Sequence, residues 1–255
     1  PGGYDGYRVD PHFRAPDKKT DLPATRFGGR KAGLSDAELK RVQAGGWDLP
    51  LLQRVVDQFV IHYDVCGTSQ RCFRVLHDER GLSVHFMLDI DGTIYQTIDL
   101  KEAAWHATIA NGRSIGIEIA NMGAYPPGKT ALRDRWYEKD AQGRVKIKLP
   151  GTPAADGIHN PAALLAPARN EPITGKIHGE TLEQYDLTKA QYDALTRLTA
   201  TLCTVFPKLK CDYPRDSSGK LRLDALSRPE FDAYQGLLGH YHVQANKTDP
   251  GPAFQ

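Results

Sequence analysis

In Gln58-Phe59-Val60-Ile61-His62-Tyr63-Asp64 a strongly apolar, aromatic and β-branched run leads up to a histidine, and the chain then turns polar. The pattern predicts a buried strand over 59–63. Alternation puts Phe59, Ile61 and Tyr63 on one face and Val60 and His62 on the other. A histidine at the carboxyl end of a buried strand sits where α/β sheets usually carry their chemistry. For a lone histidine, simple packing is the better account. A second stretch, Gly239-His240-Tyr241-His242 followed by Lys247-Thr248-Asp249-Pro250-Gly251, shifts the balance towards function.

Other elements follow from the same reading. Ser35-Asp36-Ala37-Glu38 is a capping box and Gly45-Gly46 a stop, which predicts a short helix over 36–44. Residues 47–56 lead into the His62 strand. The run 71–80 is helix-compatible and ends at Gly81. Two β runs, 83–90 and 93–98, meet at Asp91-Gly92 and predict a hairpin. Residues 114–120 alternate again. Isoleucines line one face; the other carries Ser114, Gly116, Glu118 and Ala120, small apart from one carboxylate.

From about 125 to 179 the chain becomes rich in proline and turns (Pro126-Pro127-Gly128, a polar hairpin at Gln142-Gly143, then Pro150, Pro161, Pro167 and Pro172), which reads as an insertion with short strands. Thr188-Lys189-Ala190-Gln191 is a second capping box, with Leu187 and Tyr192 placed as a staple. Leu195, Leu198, Leu202 and Val205 continue at helical spacing until Pro207, so 189–206 is a helix packed on the sheet. A smaller excursion, about 208–226, precedes a third capping box at Ser227-Arg228-Pro229-Glu230. Residues 1–34, rich in Gly, Pro and charge, read as an extended surface arm.

Composition narrows the class. Of 255 residues, 40% are hydrophobic and 25% charged, as in ordinary globular proteins. A formal net charge of +2 gives no basis for nucleic-acid binding. No apolar run approaches the ~20 residues of a membrane-spanning helix. The chain begins at Pro1, and a removed segment ahead of it is expected. Cys66, Cys72, Cys203 and Cys211 form no C-x-x-C pair, which disfavours a zinc ribbon or a thioredoxin-type site. Two disulfides, implying an oxidising compartment, and four buried thiols both remain open.

His62, His240 and Asp249 are candidate metal ligands. Hydrolytic zinc sites take three protein ligands from His and Asp/Glu and leave one position for water. Glu118 is the candidate proton acceptor, because a lone carboxylate on a buried strand is costly unless paired or functional. Lys247 could stabilise an oxyanion. His242 would fall on the opposite face from His240 if that strand continued, and is left out.

These features occur in a familiar order: His62 after Val60-Ile61, the Asp91-Gly92 hairpin, Trp105-His106, Asn111 before Ser114-Ile115-Gly116-Ile117-Glu118, Gly239-His240, and Lys247 through Phe254. The chain resembles the zinc-dependent N-acetylmuramoyl-L-alanine amidases of the type-2 amidase and peptidoglycan recognition protein superfamily. The resemblance implies a single α/β domain, with a central mixed β-sheet flanked by helices on both faces. It would occupy residues 57–255, with the two insertions, after an N-terminal extension (1–56) bearing one short helix. It implies one Zn2+ on His62, His240 and Asp249, Glu118 and Lys247 as catalytic groups, and Trp105, His106, Asn111 and His85 as substrate-cleft or ligand-orienting residues. The implied reaction is hydrolysis of the amide between the lactyl group of N-acetylmuramic acid and L-alanine of peptidoglycan or a muropeptide. Its rival is a receptor module that binds the same polymer without cleaving it. Cys66 and Cys72 match a short disulfide of the animal recognition proteins, which implies an extracytoplasmic setting. Two departures matter. Val84 stands where phage-type and animal members carry tyrosine, and those members lack a carboxylate at the Glu118 position, so the resemblance is to the glutamate-using bacterial branch. The oligomeric state stays open.

Overall fold

The computed structural model describes residues 27–160 and 165–255. The expected arm over 1–26 and Pro161 lie outside the described residues. In chain order the elements are β1 (Phe27–Gly29), α1 (Asp36–Gln43), α2 (Leu49–Val55), β2 (Gln58–Tyr63), α3 (Ser69–Phe73), β3 (Phe86–Leu88), β4 (Ile94–Gln96), β5 (Glu102–Ala104) and β6 (Ser114–Ile119). Then come β7 (Ala124–Tyr125), α4 (Ala131–Asp134), β8 (Tyr137–Lys139), β9 (Val145–Ile147), β10 (Ile173–Ile177), β11 (Glu180–Gln184), α5 (Lys189–Val205), α6 (Arg228–Ala233), β12 (Gly236–Gly239) and α7 (His240–Val243).

The central sheet has the order β12-β2-β6-β3-β4. Its first four strands run parallel and β4 closes antiparallel onto β3, so the sheet is mixed. One face carries Phe59, Ile61, Phe86, Leu88, Ile115, Ile117 and Ile119, packed under Leu195 and Leu202 of α5. The leucine stripe predicted for that helix is the one it buries, and its Thr188–Gln191 capping box closes as expected. On the other face Val60 and Leu238 pack against Phe231 of α6, Val243 of α7 and the small residues Ala107 and Ala110. Met87 packs against Cys72 of α3 and Leu76. Helices therefore cover both faces, and the α/β single-domain expectation holds.

Several local expectations need correction. The hairpin turns at Asp91-Gly92 as expected, but its paired strands are shorter, three residues each. Residues 49–55 form α2, capped by Asp48 with a proline in its first turn, a helix-start signal the strand reading passed over. The helix starting at Ser69 continues over Arg74–Arg80 in a π-helical conformation before Gly81 ends it at φ 62°. The N-terminal arm is not wholly superficial. β1 pairs with β5, and Arg30 beyond it is only 1% exposed. Its guanidinium donates to the carbonyls of Leu100, Gly112 and Ser114, which satisfies a buried charge that would otherwise be prohibitive.

The region expected as an insertion holds the β8–β9 hairpin and β10, which pairs with β11 just beyond it, and β11 in turn pairs with β7. Trp136 of this region packs against the loop after β2 and against Arg71 of α3. A Cβ on Gly67 would lie 2.5 Å from the Trp136 ring, and Gly67 has φ 79°, so only glycine admits this contact.

Candidate active site

Strand geometry brings the candidate residues together. His62 and Glu118 are register partners on β2 and β6, so they stand side by side on one face near the strands' carboxyl ends. His240 begins α7 directly after β12, the parallel neighbour of β2 on its other side. Asp249 returns on the loop that follows. Its backbone carbonyl accepts from the Tyr241 N–H at 3.1 Å, and the neighbouring Thr248 hydroxyl lies 2.6 Å from Tyr63 Oη. That loop is tied further by Gln184, whose amide donates to the Pro250 carbonyl and accepts from the Ala253 N–H.

Three donor atoms converge. His62 Nδ1 is 2.8 Å from Asp249 Oδ2, His240 Nδ1 is 3.0 Å from the same oxygen, and the two Nδ1 atoms are 3.0 Å apart. All three residues are buried. The far side of each imidazole is engaged as well. His240 Nε2 lies 2.8 Å from Gln244 Oε1, so it donates there and leaves Nδ1 with a bare lone pair. His62 Nε2 faces His106 Nδ1 at 2.9 Å, and His106 Nε2 faces Ser114 Oγ at 3.1 Å. This chain directs the His62 Nδ1 lone pair towards Asp249 in the same way. Two imidazole lone pairs and a carboxylate aimed at one point repel each other unless a cation lies between them. The donor set, two histidines and one carboxylate, fits a catalytic zinc ion.

Electrostatics agree with the geometry. Burial opposes the Asp249 charge, yet the close approach of His240 and His62 outweighs that and holds the carboxyl well below its usual range. Burial and then the neighbouring His240 lower the His62 pKa, which favours the neutral ligand form. Burial, reinforced by Asp249 and Asp64, raises Glu118 well above the usual carboxylate range. Glu118 Oε2 is buried with no hydrogen-bond partner among the described residues. An orphaned acceptor here is suited to receiving a proton from a reactant.

A cleft of about 680 Å³ opens over these groups, lined by His62, Glu118, His240, Asp249, Trp105, Asn111 and Lys247. The family model described as N-acetylmuramoyl-L-alanine amidase matches residues 52–252. The chain belongs to this amidase family. Similar solved structures include a complex of the N-acetylmuramyl-L-alanine amidase AmiD from E. coli with the substrate anhydro-N-acetylmuramic acid-L-Ala-D-gamma-Glu-L-Lys (18% identity over 78% of this chain and 54% of that one, TM-score 0.40). A selenomethionine derivative of AmpD (15% identity, 92% and 88%, TM-score 0.40) and the N-acetylmuramoyl-L-alanine amidase LysC from Clostridium intestinale URNW (16%, 78% and 79%, TM-score 0.38) are also similar. The chain spans about half the length of the AmiD structure. No curated protein matches.

Within this amidase-family site, the residues expected to act together divide into groups. His62, His240 and Asp249 converge at one point of the cleft, Glu118 stands beside His62 on the neighbouring strand, and Lys247 and Trp105 line the wall. His106 lines the cleft too, but its ring is spent bracing His62. Asn111 uses Oδ1 to accept from the N–H groups of His106 and Ala107, so it shapes the loop under His106. His85 does not belong to the cleft. It is fully buried, its Nδ1 accepts from the Gly116 N–H, and its Nε2 faces the Glu102 carbonyl and Arg30. The expectation that it contacts substrate is corrected accordingly. His242 is not on a continuing strand. The chain turns helical at His240, and His242 Nδ1 accepts from the Gly239 N–H.

The cysteines also divide. Cys203 and Cys211 form a disulfide, whereas Cys66 and Cys72, expected to be bridged, are free thiols in the cleft wall. Tyr63, Thr248, Gln244 and Ser114 were not singled out from sequence. Ser114 had a signal, sharing the small face of its strand with Glu118. Tyr63 was placed on its strand face, but its partner Thr248 and the His240 partner Gln244 lie in segments whose approach no periodicity encodes.

Proposed function

We propose that this chain hydrolyses the amide joining the lactyl group of N-acetylmuramic acid to the L-alanine of a peptidoglycan stem peptide. The observation that carries this reading is the convergence of His62 Nδ1, His240 Nδ1 and Asp249 Oδ2 beside the orphaned Glu118 carboxylate, in a chain of this family. His62, His240 and Asp249 would hold one Zn2+. When bound, that ion supplies Lewis acidity to the scissile carbonyl and to the attacking water.

The chain's own groups do the rest. Glu118 takes a proton from the attacking water and passes it to the leaving amine nitrogen, a role worth ~10²–10⁴ in rate. The raised affinity of Glu118 for a proton suits it to both transfers. Lys247, on the cleft wall, faces the negative charge that develops on the carbonyl oxygen. His106 keeps His62 in its ligating orientation. Trp105 offers an apolar, partly exposed wall to the sugar or the peptide.

The domain assignment belongs to the same proposal. Residues 57–255 form the catalytic unit, with the elaborations at about 125–179 and 208–226 outside the chemistry. An extracytoplasmic location is supported by the Cys203–Cys211 disulfide and by the location of the polymer itself. No helix among the described residues is long and apolar enough to cross a membrane.

Digestion of purified sacculi, with mass spectrometry of the products, tests the reading. The expected products are peptides with free L-alanine amino ends and glycan with unsubstituted lactyl groups, and a chelator abolishes them. Binding to sacculi without any such ends, in zinc-loaded protein, would identify a receptor and overturn the enzyme reading.

A further inference from the structure

A second group of metal-type donors lines the same cleft. Asp64, directly after β2, has one oxygen fully spent: Oδ1 accepts from the N–H groups of Cys66 (2.9 Å), Gly67 (3.1 Å) and Asn121 (3.1 Å). These bonds fix the carboxylate. The other oxygen, Oδ2, is buried and has no hydrogen-bond partner among the described residues. Cys66 stands two residues on, and Cys72 reaches in from α3, 1% exposed. Both are free thiols. A carboxylate oxygen of Asp64 and the two sulfur atoms all lie within 4.8 Å of one another.

We propose that Asp64, Cys66 and Cys72 form a thiolate-rich binding site for a soft divalent cation such as Zn2+, separate from the histidine-containing site. In a tetrahedral site, zinc–sulfur and zinc–oxygen bonds of about 2.3 and 2.0 Å put ligand atoms about 3.5–3.8 Å apart, so small side-chain rotations suffice to close this one. Two thiolates select a softer ion than two imidazoles and a carboxylate do. A bound cation satisfies the orphaned Asp64 oxygen, which otherwise sits buried at a cost. It also masks two neighbouring thiols from oxidation, in a chain whose other two cysteines are already bridged. The ion would tie the loop after β2 to α3, fixing two parts of the cleft wall. With three protein ligands, one coordination position stays open.

The inference does not depend on the proposed reaction, and metal stoichiometry separates the two. The whole chain is loaded with zinc under reducing conditions, desalted and analysed by atomic spectroscopy, with a count of reduced thiols after denaturation. The wild type is expected to hold two equivalents. His62→Ala is expected to keep one, and the double variant Cys66→Ser/Cys72→Ser to keep one. Cobalt substitution gives a readout that does not require any variant to fold. A thiolate-to-cobalt charge-transfer band in the near ultraviolet is expected in the wild type. It should persist in His62→Ala and in Asp249→Ala and disappear in the double serine variant. A single equivalent in the wild type with both thiols reduced would overturn the proposal. So would a Cys66–Cys72 disulfide in the zinc-loaded protein, seen by non-reducing peptide mapping, or a cobalt spectrum without the thiolate band.

Discussion

His62 and Glu118 are paired residues on adjacent parallel strands, one directing its Nδ1 at Asp249 Oδ2 and the other carrying an unpartnered carboxylate oxygen. Parallel pairing fixes this relationship through the backbone, so a change of side chain at one position leaves the other in place. Glu118→Gln keeps nearly the same volume and removes only the proton acceptor. It is expected to bind zinc with wild-type stoichiometry and to lose ~10²–10⁴ of turnover. Metal content by atomic spectroscopy and initial rates on a soluble muropeptide check both halves. Retained turnover would remove Glu118 from the mechanism.

His106 is expected to matter without touching substrate. Its Nδ1 accepts from His62 Nε2, and its other nitrogen leans on Ser114. His106→Ala leaves His62 free to rotate, and metal affinity should fall by about 10–100-fold, the usual cost of losing a group that orients a ligand. His106→Asn places an amide oxygen where Nδ1 stood and should recover most of that loss. Competition with a chromophoric chelator measures it. If alanine and asparagine weaken zinc equally, the hydrogen bond is not what orients His62.

The sheet and its flanking helices were legible because β2 and β6 are short apolar β-branched runs buried on both faces, burial imposes period 3.6 on α5, and capping boxes marked α1, α5 and α6. His62 and Glu118 could be placed on their faces because strand side chains alternate. What escaped depends on contacts between distant segments. Arg30 looked like arm sequence, yet its guanidinium meets three carbonyls from the Leu100–Ser114 region, and no local pattern announces that. His85 directly precedes β3, inside the longer strand expected over 83–90, and nothing in that stretch announces the Arg30 and Glu102 groups that close over it. Cys66 and Cys72 share short spacing with Cys203 and Cys211, and only the latter pair is bridged. Spacing alone does not distinguish them.

His85 gives the fold a pH dependence of defined sign. Burial, with the Arg30 charge beside it, pushes its pKa down to about 3. An unfolded histidine titrates near 6.5, at about the ordinary value. Above the unfolded pKa both states are neutral and the His85 contribution is fully present. As pH falls from there towards 3, the unfolded chain takes up a proton that the folded protein refuses, and stability is lost. The slope from this one residue cannot exceed one proton, about 1.4 kcal/mol per pH unit. Denaturant midpoints measured from pH 7.5 down to pH 4 should therefore fall less steeply in His85→Asn than in the wild type, whatever the variant's stability at neutral pH. Parallel profiles would show that His85 is not shielded from protonation in the fold.

Gly116 provides a test that separates crowding from chemistry. A Cβ added there would lie 2.6 Å from Cε1 and Nδ1 of the His106 ring, with the backbone in ordinary extended conformation. Gly116→Ala must therefore push the ring away from His62, and it should weaken zinc binding in the direction expected of His106→Ala. Removing the ring removes the clash, so His106→Ala/Gly116→Ala should bind zinc about as well as His106→Ala alone. Additive losses in this double-mutant cycle would mean that Gly116 acts through the strand rather than through His106, because only residues sharing one contact produce such a shortfall. Calorimetric zinc titration of the four proteins decides between these outcomes. Thermal melts of the metal-free forms show separately whether the β6 strand tolerates the added methyl group.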